Sequence, residues 1–245
     1  MRGHSLWFLT LTLAVACSDA PPGDAWPLED VPNRCDPGQR ILLDDVTNAR
    51  DLGGVPLASG NNTACDVVFR GPPLASASNA LCSHAAALGV RTVIDLRTAE
   101  ERSAVPDADC ILAGAHVVSA PMPIPYTVSA ADYIADLNAA ESVATAFRAF
   151  GDDSAYPVYF HCTWGRDRTG VLAAIVLAAL GAPRQAILSE YALSRYTVGA
   201  YPESLSAVLD EIERRGGIEA YLLDAGVSGE ELSVLRRHLG GAEAP

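Results

Sequence analysis

The sequence predicts an α/β fold, a central mixed sheet with flanking helices, on three observations. Short runs of branched and apolar residues alternate with longer helical segments. A helix over about 76–88 leads through Gly89-Val90 into the strand Arg91-Thr-Val-Ile-Asp-Leu-Arg97, the helix-to-strand step of an α/β unit. The apolar stretch Tyr156-Pro-Val-Tyr-Phe-His161 runs through a glycine-containing loop into the strongly apolar segment Thr169–Leu180, which reads as strand, tight loop and buried helix. A chain of 245 residues, 49% apolar and 19% charged, is long enough for one well-packed soluble domain, and no composition shift divides it. The domain is expected over 36–241.

In chain order, residues 1–17 run from a positive start through a short apolar stretch to small residues, the pattern of an export signal. The apolar run is too short to span a bilayer comfortably. Residues 18–35 are rich in Pro, Asp and Gly and read as a flexible tether. Residues 40–46 and 66–70 read as two strands of a hairpin, separated by the turn-forming Leu57-Ala-Ser-Gly-Asn-Asn62. After the strand at 91–97 comes another at 115–122. Ser129 then caps an Ala-rich helical region reaching Phe150. Beyond the helix at 169–180, helices are expected at about 183–195, 202–215, 217–225 and 229–239, the last opened by the capping box Ser228-Gly-Glu-Glu231.

The formal charge is −13 and the sequence holds no Lys, so a nucleic-acid partner is not expected, because phosphate-backbone affinity needs a basic surface. Positive charge is instead concentrated locally, at Arg166 and Arg168. Ala14, Val15 and Ala16 before Cys17 resemble a bacterial lipoprotein signal, which implies lipid on Cys17 and attachment to a membrane. Ala14 stands where Leu is usual, which leaves simple secretion open as the alternative. Export admits disulfides. With Cys17 lipidated and Cys162 set aside for chemistry, Cys35, Cys65, Cys82 and Cys110 remain, and four cysteines allow three pairings. Chain proximity favours Cys35 with Cys65 and Cys82 with Cys110.

The segment His161-Cys-Thr-Trp-Gly-Arg-Asp-Arg-Thr-Gly170 carries the chemistry. A thiolate can displace a phosphate monoester, but an ordinary thiol, titrating near ~8.5, is mostly protonated at neutral pH. Placing Cys162 at a strand end, inside a curl of backbone N–H groups and facing the amino terminus of a helix, supplies the positive potential that ionisation needs. The N–H groups of Thr163, Trp164, Gly165, Arg166, Asp167 and Arg168 would then bind phosphate oxygens. Arg168 offers a planar fork to the equatorial oxygens. The Thr169 hydroxyl is expected to donate to the thiolate and help it leave. Gly165 and Gly170 allow turns and close packing.

His161-Cys162-x5-Arg168-Thr169-Gly170 resembles the signature of the protein tyrosine phosphatase superfamily. Three further segments resemble its bacterial branch that also attacks phosphoinositides: Asn48-Ala-Arg-Asp-Leu-Gly-Gly54, Val93-Ile-Asp-Leu-Arg-Thr-Ala-Glu-Glu-Arg102 and Gly226-Val-Ser-Gly-Glu-Glu-Leu-Ser-Val-Leu-Arg236. The resemblance implies the cysteine-phosphatase fold, a phosphocysteine intermediate, and an acid to protonate the leaving group. The superfamily usually draws that acid from a Trp-Pro-Asp loop, and no such tripeptide occurs here. Asp167, inside the loop, is the first candidate and Asp95 the second. Against these stand structural readings: Asp167 fixing the loop, and Asp95 paired with Arg97 or Arg168.

Trp164 departs from the small residue expected at its position, and either walls the pocket or packs under the loop. His161 reads as a structural residue of the loop, and Asn48, Arg50 and Asp51 as organisers of a strand end beside the site. His84, His116 and His238 lack metal-ligand spacing, so neither metal nor other cofactor is expected. The reading is thus an exported phosphatase, periplasmic or membrane-anchored, acting on phosphotyrosine and on phosphoinositides or other phosphorylated small molecules. The alternatives are an inactive phosphate-binding module and a rhodanese-type sulfurtransferase. Oligomeric state is left open.

Overall fold

A computed structural model describes residues 48–75, 82, 86–196 and 198–241 of the chain. Five strands form one mixed sheet: β1 (Arg50–Asp51), β2 (Val68–Gly71), β3 (Thr92–Asp95), β4 (His116–Ser119) and β5 (Val158–His161), in the spatial order β1-β2-β5-β3-β4. β5 lies in the middle and runs parallel to both β2 and β3, while β1 pairs antiparallel with β2. Gly71 and Asp95 are the two cross-strand partners of His161, so the carboxyl ends of β2, β5 and β3 meet where the signature loop begins. Ligands of open α/β sheets bind at such strand ends.

Side-chain alternation divides the core between the two faces of the sheet. Val68, Ile94, Val158 and Phe160 face the larger core, and Phe69, Val93 and Tyr159 the smaller one. Two short helices between β3 and β4, α1 (Ala99–Ala104) and α2 (Asp109–Leu112), have no counterpart among the predicted elements. Leu112 of α2 and the segment Leu88–Val90 pack on the smaller core. The larger face carries α3 (Ala130–Leu137), α4 (Ala140–Phe150), α5 (Asp167–Ala179), α6 (Arg184–Ala192), α7 (Pro202–Arg214), α8 (Ile218–Asp224) and α9 (Gly229–Leu239). Ten consecutive α5 positions, Thr169–Ala178, hold only one polar side chain, and α5 is buried nearly all round, as befits the central helix of the layer.

The expected helical region 129–150 is two helices, parted at Asn138-Ala139, and the Ser129 cap is present as a full capping box with Asp132. The Ser228–Glu231 capping box likewise opens α9. Of the predicted hairpin, the run 40–46 lies outside the described residues. Among those described, the antiparallel partner of β2 is Arg50–Asp51, inside the Asn48–Gly54 motif. The signal segment, the tether, Cys17 and Cys35 also lie outside. No helix among the described residues is long and apolar enough to cross a membrane.

Candidate active site

Cys162 leaves the end of β5 buried, with only 1% of its surface exposed, and the chain curls through 163–166 into the first turn of α5. The helix starts two residues before its predicted beginning, which puts Asp167 and Arg168 on its amino-terminal turn. Gly165 is required there: its φ is +63°, and a Cβ would lie 2.3 Å from the Gly71 carbonyl carbon at the end of β2. Two carbonyls of the loop are held from outside, that of Trp164 by Asn48 Nδ2 at 3.1 Å and that of Gly165 by Arg70 Nη2 at 3.0 Å.

Arg168 is gripped by Glu101 of α1 through a two-pronged bond, Nη1 to Oε2 and Nη2 to Oε1, both 2.7 Å. Thr163 joins them, accepting from Nη2 at 3.1 Å and donating to Glu101 at 2.5 Å. These bonds hold the Glu101 carboxyl down at about 2, the bond from Arg168 contributing most. Glu101 has a second task, since it closes the capping box of α1 with Thr98. The Arg168 guanidinium is therefore fixed at its tip, while its Nε–H is buried and has no partner among the described residues. The Thr169 hydroxyl is likewise buried without a hydrogen bond among the described residues, and the expected bond to the Cys162 sulfur is not formed.

Asp167 forms part of the wall. Its Oδ1 accepts from the Tyr133 hydroxyl at 2.5 Å and from Arg166 Nε at 2.8 Å, and its Oδ2 from Arg166 Nη2 at 3.1 Å. Arg166 places its remaining terminal nitrogen on the Val198 carbonyl and lies 4.8 Å from the centre of the Tyr201 ring. Both ends of its fork are thus engaged within the protein. Trp164 is 59% exposed, so of its two expected roles packing under the loop is set aside.

Asp95 pairs with Arg97 and not with Arg168. Both of its oxygens accept from the Arg97 guanidinium, at 3.0 and 2.8 Å, and the Arg97 backbone N–H adds a third bond. Arg97 also bonds Asp107 at 2.8 Å, and His161 Nε2 lies 3.3 Å from the same carboxylate. Burial alone would push Asp107 up, but His161 and Arg97 beside it hold it below the usual carboxylate range. Asp95, Asp107 and His161 are close enough to share a cation, yet the Arg97 guanidinium already supplies positive charge to both carboxylates.

Across the loop a second buried network joins Arg50, Glu190 and Arg70. Arg50 Nε bonds Glu190 Oε1 at 2.7 Å, and Arg70 Nη1 bonds Oε2 at 2.6 Å. Arg50 also reaches Asn48 Oδ1 at 2.5 Å, which ties that motif to the loop, while Asp51 caps the turn that follows it at the Gly53 N–H. Asp136, in the last turn of α3, lies in electrostatic reach of Arg168 and Asp167. Both its oxygens are fully buried with no partner among the described residues, and burial raises its pKa to about 8.

Glu101, Asp107, Tyr133, Asp136, Arg70 and Glu190 were not foreseen as site residues. A signal existed for Glu101 alone: Thr98-x-x-Glu101 after the β3 run is a capping box. Among the disulfide candidates, Cys82 and Cys110 are joined, and Cys65 is disulfide-bonded, with its expected partner Cys35 outside the described residues. Cys162 is free. A cleft of about 520 Å³ bounded by Arg91, His116 and Arg148 contains none of the predicted site residues.

Comparison with known proteins gives three findings. The sequence profile described as the tyrosine phosphatase family matches residues 41–241. A Cupriavidus necator protein assigned as a tyrosine-protein phosphatase is 31% identical over 173 residues, 62% of this chain and 61% of that one, so the chain spans under two thirds of the length of this relative. A tyrosine-protein phosphatase of Nostoc commune is 27% identical over 244 residues, covering 77% of this chain and 82% of its own. Among solved structures, the core catalytic domain of the PP-IP phosphatase SIW14 from S. cerevisiae, in complex with citrate, aligns with a TM-score of 0.41 and 16% identity, over 69% of this chain and 96% of that chain.

Proposed function

Because the chain belongs to the tyrosine phosphatase family, we propose that it is a cysteine-dependent phosphatase that hydrolyses phosphotyrosine through a phosphocysteine intermediate. The observation that carries the reading is Arg168 fixed at its tip by Glu101 while its Nε–H is unpaired among the described residues, with a free cysteine at the end of β5 just before α5. With both terminal nitrogens engaged by Glu101, Thr163 and the Leu96 carbonyl, Nε–H is the donor left to meet the transition state without reorganisation. An inactive phosphate-binding module would use the held arginine but would not need the free cysteine, and a rhodanese-type sulfurtransferase would have no use for the arginine.

The Cys162 thiolate attacks phosphorus as the bond to the tyrosine oxygen breaks, and the displaced oxygen takes up a proton. Loop N–H groups and Arg168 stabilise the equatorial oxygens. Water then attacks the phosphocysteine and releases inorganic phosphate. Asp167 is assigned the leaving-group proton, as the acid nearest Arg168 in sequence. Each carboxylate is bonded at both oxygens by an arginine, Asp167 by Arg166 and Asp95 by Arg97, and Asp167 is preferred for its place on the first turn of α5 beside Arg168.

An extra cation at the loop would suit polyanionic substrates such as inositol phosphates, but Arg166 is engaged by Asp167, the Val198 carbonyl and Tyr201, which disfavours them. Exposed Trp164 instead offers an aromatic surface to an aryl ester. The Cys82–Cys110 disulfide favours an oxidising compartment and so supports export, with lipid on Cys17 as the proposed anchor.

Turnover of a phosphotyrosine peptide, a phosphoserine peptide and inositol phosphates, under conditions that keep Cys162 reduced, tests the reading. Preference for phosphotyrosine, abolished in Cys162→Ser, is expected. Activity confined to phosphoserine, or none in the wild type, would reject it.

A further inference from the structure

We propose that the buried Arg50–Glu190–Arg70 triad is the counter-charge of Cys162 and that Arg70 is a positioning residue of the phosphate loop. This rests on the phosphatase reading and deepens it. Two guanidiniums share one carboxylate in the triad, all three side chains at most 5% exposed, which leaves one net positive charge inside the protein. An uncompensated interior charge is costly, so a nearby anion is required. Arg70 interacts electrostatically with Cys162 from β2, as Arg168 does from α5. Arg168, however, already has its own carboxylate in Glu101. Tyr159 of β5 also acts on the thiol, and burial keeps its phenol neutral through the working range. On the β3 side the Asp95–Arg97–Asp107 cluster has excess negative charge of its own, but after Glu190 the acidic group acting most strongly on Arg70 is Cys162. The thiolate, or the phosphate that replaces it as the local anion, is thus the group that balances the triad.

The same side chain shapes the loop. Arg70 Nη2 holds the Gly165 carbonyl and Asn48 the Trp164 carbonyl, and a peptide plane whose oxygen is fixed outward directs the next N–H to the opposite side, toward the phosphate. Burial and the neighbouring Arg50 lower the Arg70 guanidinium to about 10, against the pull of Glu190, so it remains a cation at neutral pH.

The sign of the charge gives the test. The rate at which iodoacetamide alkylates Cys162, followed against pH in the full chain by the mass of its peptide, reads thiolate formation without turnover. Arg70→Met is expected to move the half-alkylation point up by about one pH unit or more, since a unit charge ~10 Å away is worth about one unit at an effective dielectric of ~20 and more when nearer. Arg70→Lys restores most of it. Glu190→Gln, which adds net positive charge, moves it down. If Arg70→Met fails to fold, the Arg70→Lys and Glu190→Gln chains still decide. Shifts of Arg70→Met and Glu190→Gln in the same direction, or no downward shift in Glu190→Gln, would overturn the proposal. An inactive wild type whose alkylation still responds to the variants would count against the phosphatase reading and leave the counter-charge standing.

Discussion

Replacing Asp136 by Asn should stabilise the protein, and by an amount that grows with pH. Asp136 is fully buried on α3 with no hydrogen bond to either oxygen among the described residues, and burial lifts its pKa from 3.8 to about 8. Between those values the unfolded chain has released the proton and the folded one retains it. The unfolded state therefore binds fewer protons, and stability falls as pH rises across that window. About four pKa units at ~1.4 kcal/mol each set a ceiling near ~6 kcal/mol. Relaxation and water entry around a real buried charge bring the expectation down to ~2 kcal/mol. Asn reproduces the shape and neutrality of the protonated acid. The Asp136→Asn chain should therefore match the wild type near pH 4 and exceed it by ~2 kcal/mol at pH 8, or about 4–8 °C in Tm for a domain of this size. Urea unfolding at a series of pH values measures the difference directly. Parallel stability curves for the two chains between pH 4 and pH 8 would refute the reasoning.

Glu101→Gln should lower kcat/KM on an aryl phosphate by about 10²-fold, because the Arg168 fork loses the charged partner that fixes it, with the fold retained by circular dichroism. As the Glu101 carboxyl sits at about 2, the wild-type fork should persist down to pH 3, seen as a KM that does not change through the carboxylate range on its account. Asp167→Asn should remove the basic limb of the pH–rate profile, and a profile that keeps this limb takes the proton-donor role away from Asp167. Cys82→Ser with Cys110→Ser opens a loop of sequence separation 28 and should cost about 3–4 kcal/mol in the chain-entropy account, measured by denaturant unfolding.

What the sequence made legible was local. His161 to Gly170 lies within one strand, turn and helix, so spacing alone put Cys162 and Arg168 together. Alternation and capping residues found most of the strands and the starts of α3 and α9. The partners of the site were not legible, because they come from far along the chain: Glu101 meets Arg168 across 67 residues, Arg70 meets Glu190 across 120 and Tyr133 meets Asp167 across 34. Sequence spacing says nothing of such pairs until strand order is known. Arg166 shows the same limit in reverse, since a cation that looks free in sequence is engaged by its own neighbour Asp167 and by Tyr201. Asp136 in an Ala-rich helix gave no cue at all, as only tertiary packing of α3 seals it from water.

The central claim, that Cys162 takes the phosphoryl group from substrate, is tested most directly by acid-quenching the enzyme within a turnover of a phosphotyrosine peptide and mapping the adduct by mass spectrometry. One phosphoryl group on the peptide holding Cys162, absent in Cys162→Ser, is predicted. Steady turnover with the phosphoryl group on another residue, or activity undiminished in Cys162→Ser, would contradict it.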